Sequence, residues 1–222
     1  MNILRIIRLP DLFTLLNVAL GFSALLAAGR CSQIAPQVAV VFILLAAMAD
    51  GLDGFLARRM GCGPLGASLD SLADLVSFGA APAFLALQTF APSPQALLAG
   101  FFYLLCGTLR LARFNTSHKS DQFFEGLPIP AAGIALSASV LLERSALTIL
   151  FMLLLALLMV SSISYPKIRD MRAVSLLGLV LLGAGFLLWQ EKDTLYAALL
   201  LMAIITMYMA SPVVISCLRK GR

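Results

Sequence analysis

The sequence predicts an all-α, polytopic membrane protein of about eight transmembrane helices, and three observations carry that prediction. First, 61% of the residues are hydrophobic and 12% charged, about half the charge of a soluble domain. Second, apolar runs long enough for a hydrocarbon core of roughly 30 Å recur along the chain, separated by polar or Pro/Gly clusters. Third, the 16 Lys and Arg residues fall mainly at alternate breaks, as the cytoplasmic ends of membrane helices require. With a mean hydropathy of +0.98, the bulk solvent of this chain is lipid.

The chain opens with Ile3, Leu4, Ile6 and Ile7 around Arg5 and Arg8. This pattern predicts a short helix over residues 1–10 lying at the interface and ended by Pro10. No small-residue cleavage site follows, so a removable signal is not expected. Helices are then predicted at 11–29, 34–59, 68–90, 95–114, 128–143, 146–164, 173–189 and 194–217. The fifth, which opens on Pro128 and Pro130, is short for a crossing of about 20 residues, and a re-entrant segment is its alternative.

The loop charges give the orientation. With a cytoplasmic N-terminus, the inner side holds Arg5, Arg8, Arg58, Arg59, Arg110, Arg113, Lys119, Lys167, Arg169, Arg172, Arg219, Lys220 and Arg222. The outer side holds only Arg30, Arg144 and Lys192. This is a strong positive-inside bias and favours an even number of spans with both termini inside. Trp189 and Tyr196 fall at the outer boundary, where amphipathic rings gather.

Composition excludes several chemistries. Cys31, Cys62, Cys106 and Cys217 lie in unrelated segments without metal-ligand spacing and read as packing residues. A single histidine, His118, excludes a histidine-built metal or acid–base site. The net charge of +5 suits anionic lipid and phosphate-bearing ligands alike, and no nucleic-acid partner is expected. No repeat or separate soluble domain appears, so residues 1–222 read as one integral-membrane domain.

Against this apolar background stand four aspartates. The run Asp50-Gly51-Leu52-Asp53-Gly54-Phe55-Leu56-Ala57-Arg58 is followed, after seven residues, by Gly66-Ala67-Ser68-Leu69-Asp70-Ser71-Leu72-Ala73-Asp74. A carboxylate at a membrane helix centre costs about 2.5–3.5 kcal/mol on insertion scales, so several in one place imply a use. Spacings of three and four place each pair on one helix face. The Gly/Pro-rich reversal between them lays the two helices side by side, so all four carboxylates converge on a cytoplasm-facing cavity. Gly54, Ala57 and Gly66 each stand one turn from an aspartate and leave room on that face. Converging carboxylates repel unless a cation intervenes, and hard oxygen ligands without His or thiolate favour Mg²⁺ or Mn²⁺, with Ca²⁺ chemically allowed. Four are enough for two ions sharing a carboxylate, the arrangement that serves phosphoryl displacement.

The pattern D-x-x-D-G-x-x-A-R, seven residues, then G-x-x-x-D-x-x-x-D resembles the signature of the CDP-alcohol phosphotransferases at every fixed position. Within that family, four further stretches resemble the integral-membrane phosphatidylserine synthases: Leu12 to Asn17, Leu72 to Gly79, Leu109 to Asn115, and Phe124 to Ala132. The resemblance covers roughly residues 9–135. It implies a six-helix catalytic core, here 11–164, with two additional helices at 173–217 outside it, usually in a homodimer with a cytoplasmic site. It also implies transfer of a phosphatidyl group from CDP-diacylglycerol to L-serine, with release of CMP.

By the same resemblance Asp50, Asp53 and Asp70 hold one of two divalent ions, Mg²⁺ or Mn²⁺, and Asp50, Asp70 and Asp74 hold the other. Asp74 matches the general base, and Gly54 and Arg58 match positions that contact the CDP group. Ala57 and Gly66 leave space beside that group, and Thr14 offers it a hydroxyl. Arg110 and Arg113, one turn apart, suit a carboxylate or phosphate, with Asn115 and Glu125 placed for the ammonium of serine. The chain departs from the family at Asp11, where Asn is usual after Pro10. Two alternatives stay within the family: another acceptor (glycerol 3-phosphate or inositol phosphate) or an archaeal CDP-ether-lipid donor. An ion-coupled transporter is the rival of another class, and CMP release from a CDP-lipid separates it from an enzyme.

Overall fold

The computed structural model describes residues 7–61, 63–90, 93–116, 123–166, 171–189 and 194–220. The predicted interfacial helix lies mostly outside these residues. Its last two positions instead belong to α1 (Leu9–Ala28), where Pro10 sits in the first turn. Asp11 accepts the backbone N–H of Arg8 at 2.8 Å, so its carboxylate caps this helix N-terminus and faces the positive end of the dipole.

The predicted helices recur with ends shifted by a few residues. α2 (Ala35–Met60) runs antiparallel to α1 and packs along it. Arg58 and Arg59 occupy its last turn, favourable at a helix C-terminus, and Gly61 at φ 83 ends it. The third predicted helix is continuous over 66–89 but not uniform. It consists of α3 (Gly66–Asp74), a π-helical turn at Leu75–Ala80, and α4 (Ala81–Thr89). Pro82 has no N–H for the carbonyl of Phe78 four residues earlier, and the Tyr103 hydroxyl donates to that carbonyl at 2.9 Å instead. The wider turn is clamped on two sides by glycine. A Cβ on Gly21 of α1 would overlap Ser77, and one on Gly133 would fall 2.8 Å from the Phe78 Cβ.

α5 (Pro94–Thr116) follows, then α6 (Ile129–Val140), α7 (Ser145–Val160), α8 (Met171–Trp189) and α9 (Thr194–Lys220). α6 has 12 residues, about 18 Å at 1.5 Å per residue, and is too short to cross. It is buried nearly all round, packed by α4, α7, α9, α2 and the π turn, and so forms the core of the bundle. The prediction of 128–143 overshot because Leu141–Glu143 turn out of the helix. One element had no prediction. Phe123–Glu125 (β1) pairs antiparallel with Ser164–Pro166 (β2), with Phe124 opposite Tyr165. Only the first residue of the second strand, Ser164, falls within the predicted sixth helix, 146–164, whose observed counterpart α7 ends at Val160.

Among the described residues, five helices are long and apolar enough to cross a membrane: 9–28, 35–60, 66–89, 94–116 and 194–212. Their outward faces are hydrocarbon. On α5, Leu98, Phe101, Leu105 and Leu109 are each more than 60% exposed, at helical spacing along one stripe. This is a multi-pass membrane protein.

Candidate metal and phosphoryl-transfer site

The site grows from α2 and α3, which the Gly61–Gly63 turn joins. The sequence expectation that this turn lays the two helices side by side is corrected: α1 packs against both, α2 and α3 have little direct backbone contact, and the aspartates meet through their side chains. On α2, Asp50 and Asp53 share a face; on α3, Asp70 and Asp74 do. One carboxylate oxygen from each of Asp50, Asp70 and Asp74 lies within 4.8 Å of the others. Asp50 and Asp74 meet side chain to side chain. Asp53, 5% exposed, faces Asp70 and is met by the Thr14 hydroxyl from α1. That hydroxyl also donates to the Pro10 carbonyl at 3.3 Å.

Two oxygens in this group, Asp53 Oδ2 and Asp74 Oδ1, are buried without a hydrogen-bond partner. Orphaned buried carboxylate oxygens are costly in an apolar interior. A divalent cation removes that cost, so the donor set fits hard oxygen-coordinated ions. Arg110 of α5, 7% exposed, brings the compensating charge. It faces Asp74 and Asp70, and its guanidinium lies 5.4 Å from the Phe114 ring centroid.

A cavity of about 400 Å³ reaches three of the four aspartates. It is lined by Asp50, Gly51, Asp53, Gly54, Arg58 and Asp70 together with Ala47, Pro128, Pro130, Ala131, Ile134, Leu181, Ile204, Ile205 and Tyr208; Asp74 and Arg110 are not among its lining residues. α8 and α9, expected outside the catalytic core, therefore form part of its wall. Sequence reasoning missed this wall, because Leu181, Ile204 and Ile205 read like any lipid-facing residues. Tyr208 was the one available signal, a phenol within an apolar helix.

The other expected site residues lie apart from the cavity lining. Ala57 and Gly66 are half-buried, and the Gly66 N–H donates to the Gly63 carbonyl at 3.2 Å. Asn115 is exposed and exchanges hydrogen bonds with Ser71 at 3.0 and 3.2 Å. The Glu125 side chain is exposed.

Arg113 is occupied elsewhere. Its guanidinium donates to the carbonyls of Glu125 at 2.8 Å, Met159 at 3.1 Å, Val160 at 3.2 Å and Ser161 at 3.1 Å. Three of these carbonyls close the end of α7, where a helix has no N–H donors of its own and favours a cation. Gly126, at φ 78, passes so close that a Cβ would overlap the Met159 carbonyl. Arg113 thus pins the strand that leads into Pro128 and Pro130. Arg113→Met is expected to lower stability by about 2–4 kcal/mol, since charged hydrogen bonds contribute about 1.5–3 each. Thermal unfolding in detergent measures it.

Residues 7–208 match the CDP-alcohol phosphatidyltransferase family. The chain is 38% identical over 180 residues to archaetidylserine synthase of Methanothermobacter thermautotrophicus, covering 78% of this chain and 75% of that protein. It is 39% identical over 168 residues to the CDP-diacylglycerol–serine O-phosphatidyltransferase of Methanocaldococcus jannaschii, covering 75% and 77%. The protein of that same name from Helicobacter pylori is 34% identical over 179 residues, covering 73% of each.

Proposed function

The chain belongs to the CDP-alcohol phosphatidyltransferase family, and on that premise we propose that it transfers a phosphatidyl group from a CDP-linked lipid to the hydroxyl of L-serine. The single observation that carries this reading is the convergence of Asp50, Asp70 and Asp74 to within 4.8 Å beside a cavity whose lining joins carboxylates and an arginine to apolar residues of α6, α8 and α9. A donor with a pyrophosphate and a lipid combines the same two characters.

Asp50, Asp53 and Asp70 hold one divalent ion and Asp50, Asp70 and Asp74 the other, Mg²⁺ or Mn²⁺ by ligand hardness. Bound ions of this kind neutralise charge on a pyrophosphate and on the departing CMP. The rest falls to the chain. Gly54, without a side chain, lets the nucleotide approach α2, and exposed Arg58 meets its phosphates from the last turn.

Arg110 takes the serine carboxylate and holds the acceptor beside Asp74. A serine hydroxyl is a weak nucleophile until its proton leaves, and the Asp74 carboxylate accepts that proton as the new P–O bond forms. The P–O bond to CMP breaks in the same displacement, with no covalent enzyme intermediate. The six-helix unit 11–164 supplies this chemistry, while Leu181, Ile204, Ile205 and Tyr208 from the two added helices flank the lipid.

The site faces the cytoplasm, in keeping with the basic inner helix ends, and the enzyme works as a homodimer. An acceptor screen with purified protein and CDP-diacylglycerol tests the proposal. CMP release that requires serine and Mg²⁺ or Mn²⁺ supports it. Turnover with glycerol 3-phosphate but not serine overturns the acceptor and leaves the family intact.

A further inference from the structure

Among the described residues, the buried side-chain polar atoms without a hydrogen-bond partner belong to three residues only. Two are Asp53 and Asp74. The third is Asn17 of α1, fully buried, with both its Oδ1 and its Nδ2 unpartnered. An amide sealed in an apolar helix bundle without hydrogen bonds costs several kcal/mol by transfer measurements of roughly 2–7 kcal/mol. Such a group is retained where something polar fills the gap, most simply a water molecule with two to four polar partners.

The helix geometry brings that amide to the level of the carboxylate cluster. Thr14 meets Asp53 across the antiparallel α1–α2 pair. Three residues on along α1 is Asn17, and three residues back along α2 is Asp50, each step about 4.5 Å along its axis. On the other side, the Ser77 hydroxyl donates to the Asn17 carbonyl at 2.9 Å, and Asp74 lies three residues before Ser77. Thr14, Asn17 and Gly21 are buried on one face of α1, and the bare Gly21 brings that face hard against Ser77. Asn17 is thus level with Asp50 and tied through its carbonyl to Ser77, one turn beyond Asp74.

We propose that Asn17 is a positioning residue of the cation site, its amide holding a buried water against the Asp50 and Asp74 carboxylates. The amide can both donate and accept, so it anchors a water that in turn donates to a carboxylate oxygen and fixes the side-chain rotamer. Supporting partners of this kind change metal affinity by about 10–100-fold when removed. The inference rests on the proposed function only for the presence of a divalent ion, and its test is chosen to be independent of turnover.

Mn²⁺ titration of the purified protein, followed by electron paramagnetic resonance without any lipid donor, provides that test. Asp70→Asn serves as the ligand-loss control. Asn17→Leu, similar in volume but dry, and Asn17→Ser, which is smaller and polar, are each expected to weaken Mn²⁺ binding about 10-fold or more. Folded variants with wild-type Mn²⁺ affinity overturn the proposal, even if thermal stability has changed. A high-resolution map of the Mn²⁺-loaded wild type decides the matter without any variant. Density for a water within hydrogen-bond reach of the Asn17 amide supports it, and an amide packed only against carbon overturns it. Wild-type protein that binds Mn²⁺ yet fails with serine sinks the acceptor reading and leaves Asn17 untouched.

Discussion

Asp74→Asn lowers kcat by about 10³–10⁴-fold while leaving the metal-free protein at least as stable as the wild type. The activity loss follows from the role of Asp74 as proton acceptor, since general-base catalysis contributes about 10²–10⁴-fold, and from the loss of a cation ligand. The stability effect has the opposite sign for a separate reason. Asp74 is 6% exposed, touches Asp50 and has one oxygen without a partner. Without cations, several carboxylates crowd a low-dielectric site with Arg110 as their buried counter-charge, and an amide relieves part of that repulsion. Single-turnover CMP release gives the rate, and thermal unfolding with a chelator present gives the stability. A variant that is both inactive and unstable would show Asp74 to be a structural group.

Arg110→Gln is the second large effect. Arg110 is buried on α5 and faces Asp70 and Asp74, unlike Arg113 one turn on, whose donors are taken by backbone carbonyls. Removing the cation leaves buried carboxylates uncompensated, a change worth about 3–5 kcal/mol where a buried pair is broken. With cations bound, that loss is partly offset. The remaining signature is then in the acceptor: KM for serine rises about 10²-fold while KM for the CDP-lipid stays within a factor of about three, as expected for loss of a carboxylate clamp. Arg110→Lys recovers part of the serine affinity but not the bidentate geometry. Equal loss for both substrates would assign Arg110 to holding Asp70 and Asp74 rather than serine.

The contrast between these two arginines shows what the sequence could and could not reveal. The aspartate pairs were legible because spacings of three and four fix a helix face whatever the tertiary context, whereas the Gly/Pro turn did not reveal that α1 packs against both helices. Arg110 and Arg113 share that spacing, yet their partners differ. Arg113 meets main-chain carbonyls at the end of α7, and backbone groups leave no trace in residue identity.

The π turn was hidden for a similar reason. Pro82 marked a missing N–H, but whether a helix breaks, kinks or widens there depends on Tyr103, 21 positions later, reaching the Phe78 carbonyl. The pairing of 123–125 with 164–166 joins short segments without apolar alternation, so no local period announced it. The added helices at the cavity wall were out of reach because apolar residues facing a substrate and those facing lipid obey the same composition.

The central claim is that the α2 and α3 carboxylates form a divalent-cation site. Anomalous scattering at the manganese edge, from crystals of the Mn²⁺-loaded protein, tests it most directly. The account predicts two peaks, both within coordination distance of Asp50 and Asp70, with one also reached by Asp53 and the other by Asp74. Manganese elsewhere, or none among these side chains at saturating concentration, would contradict it.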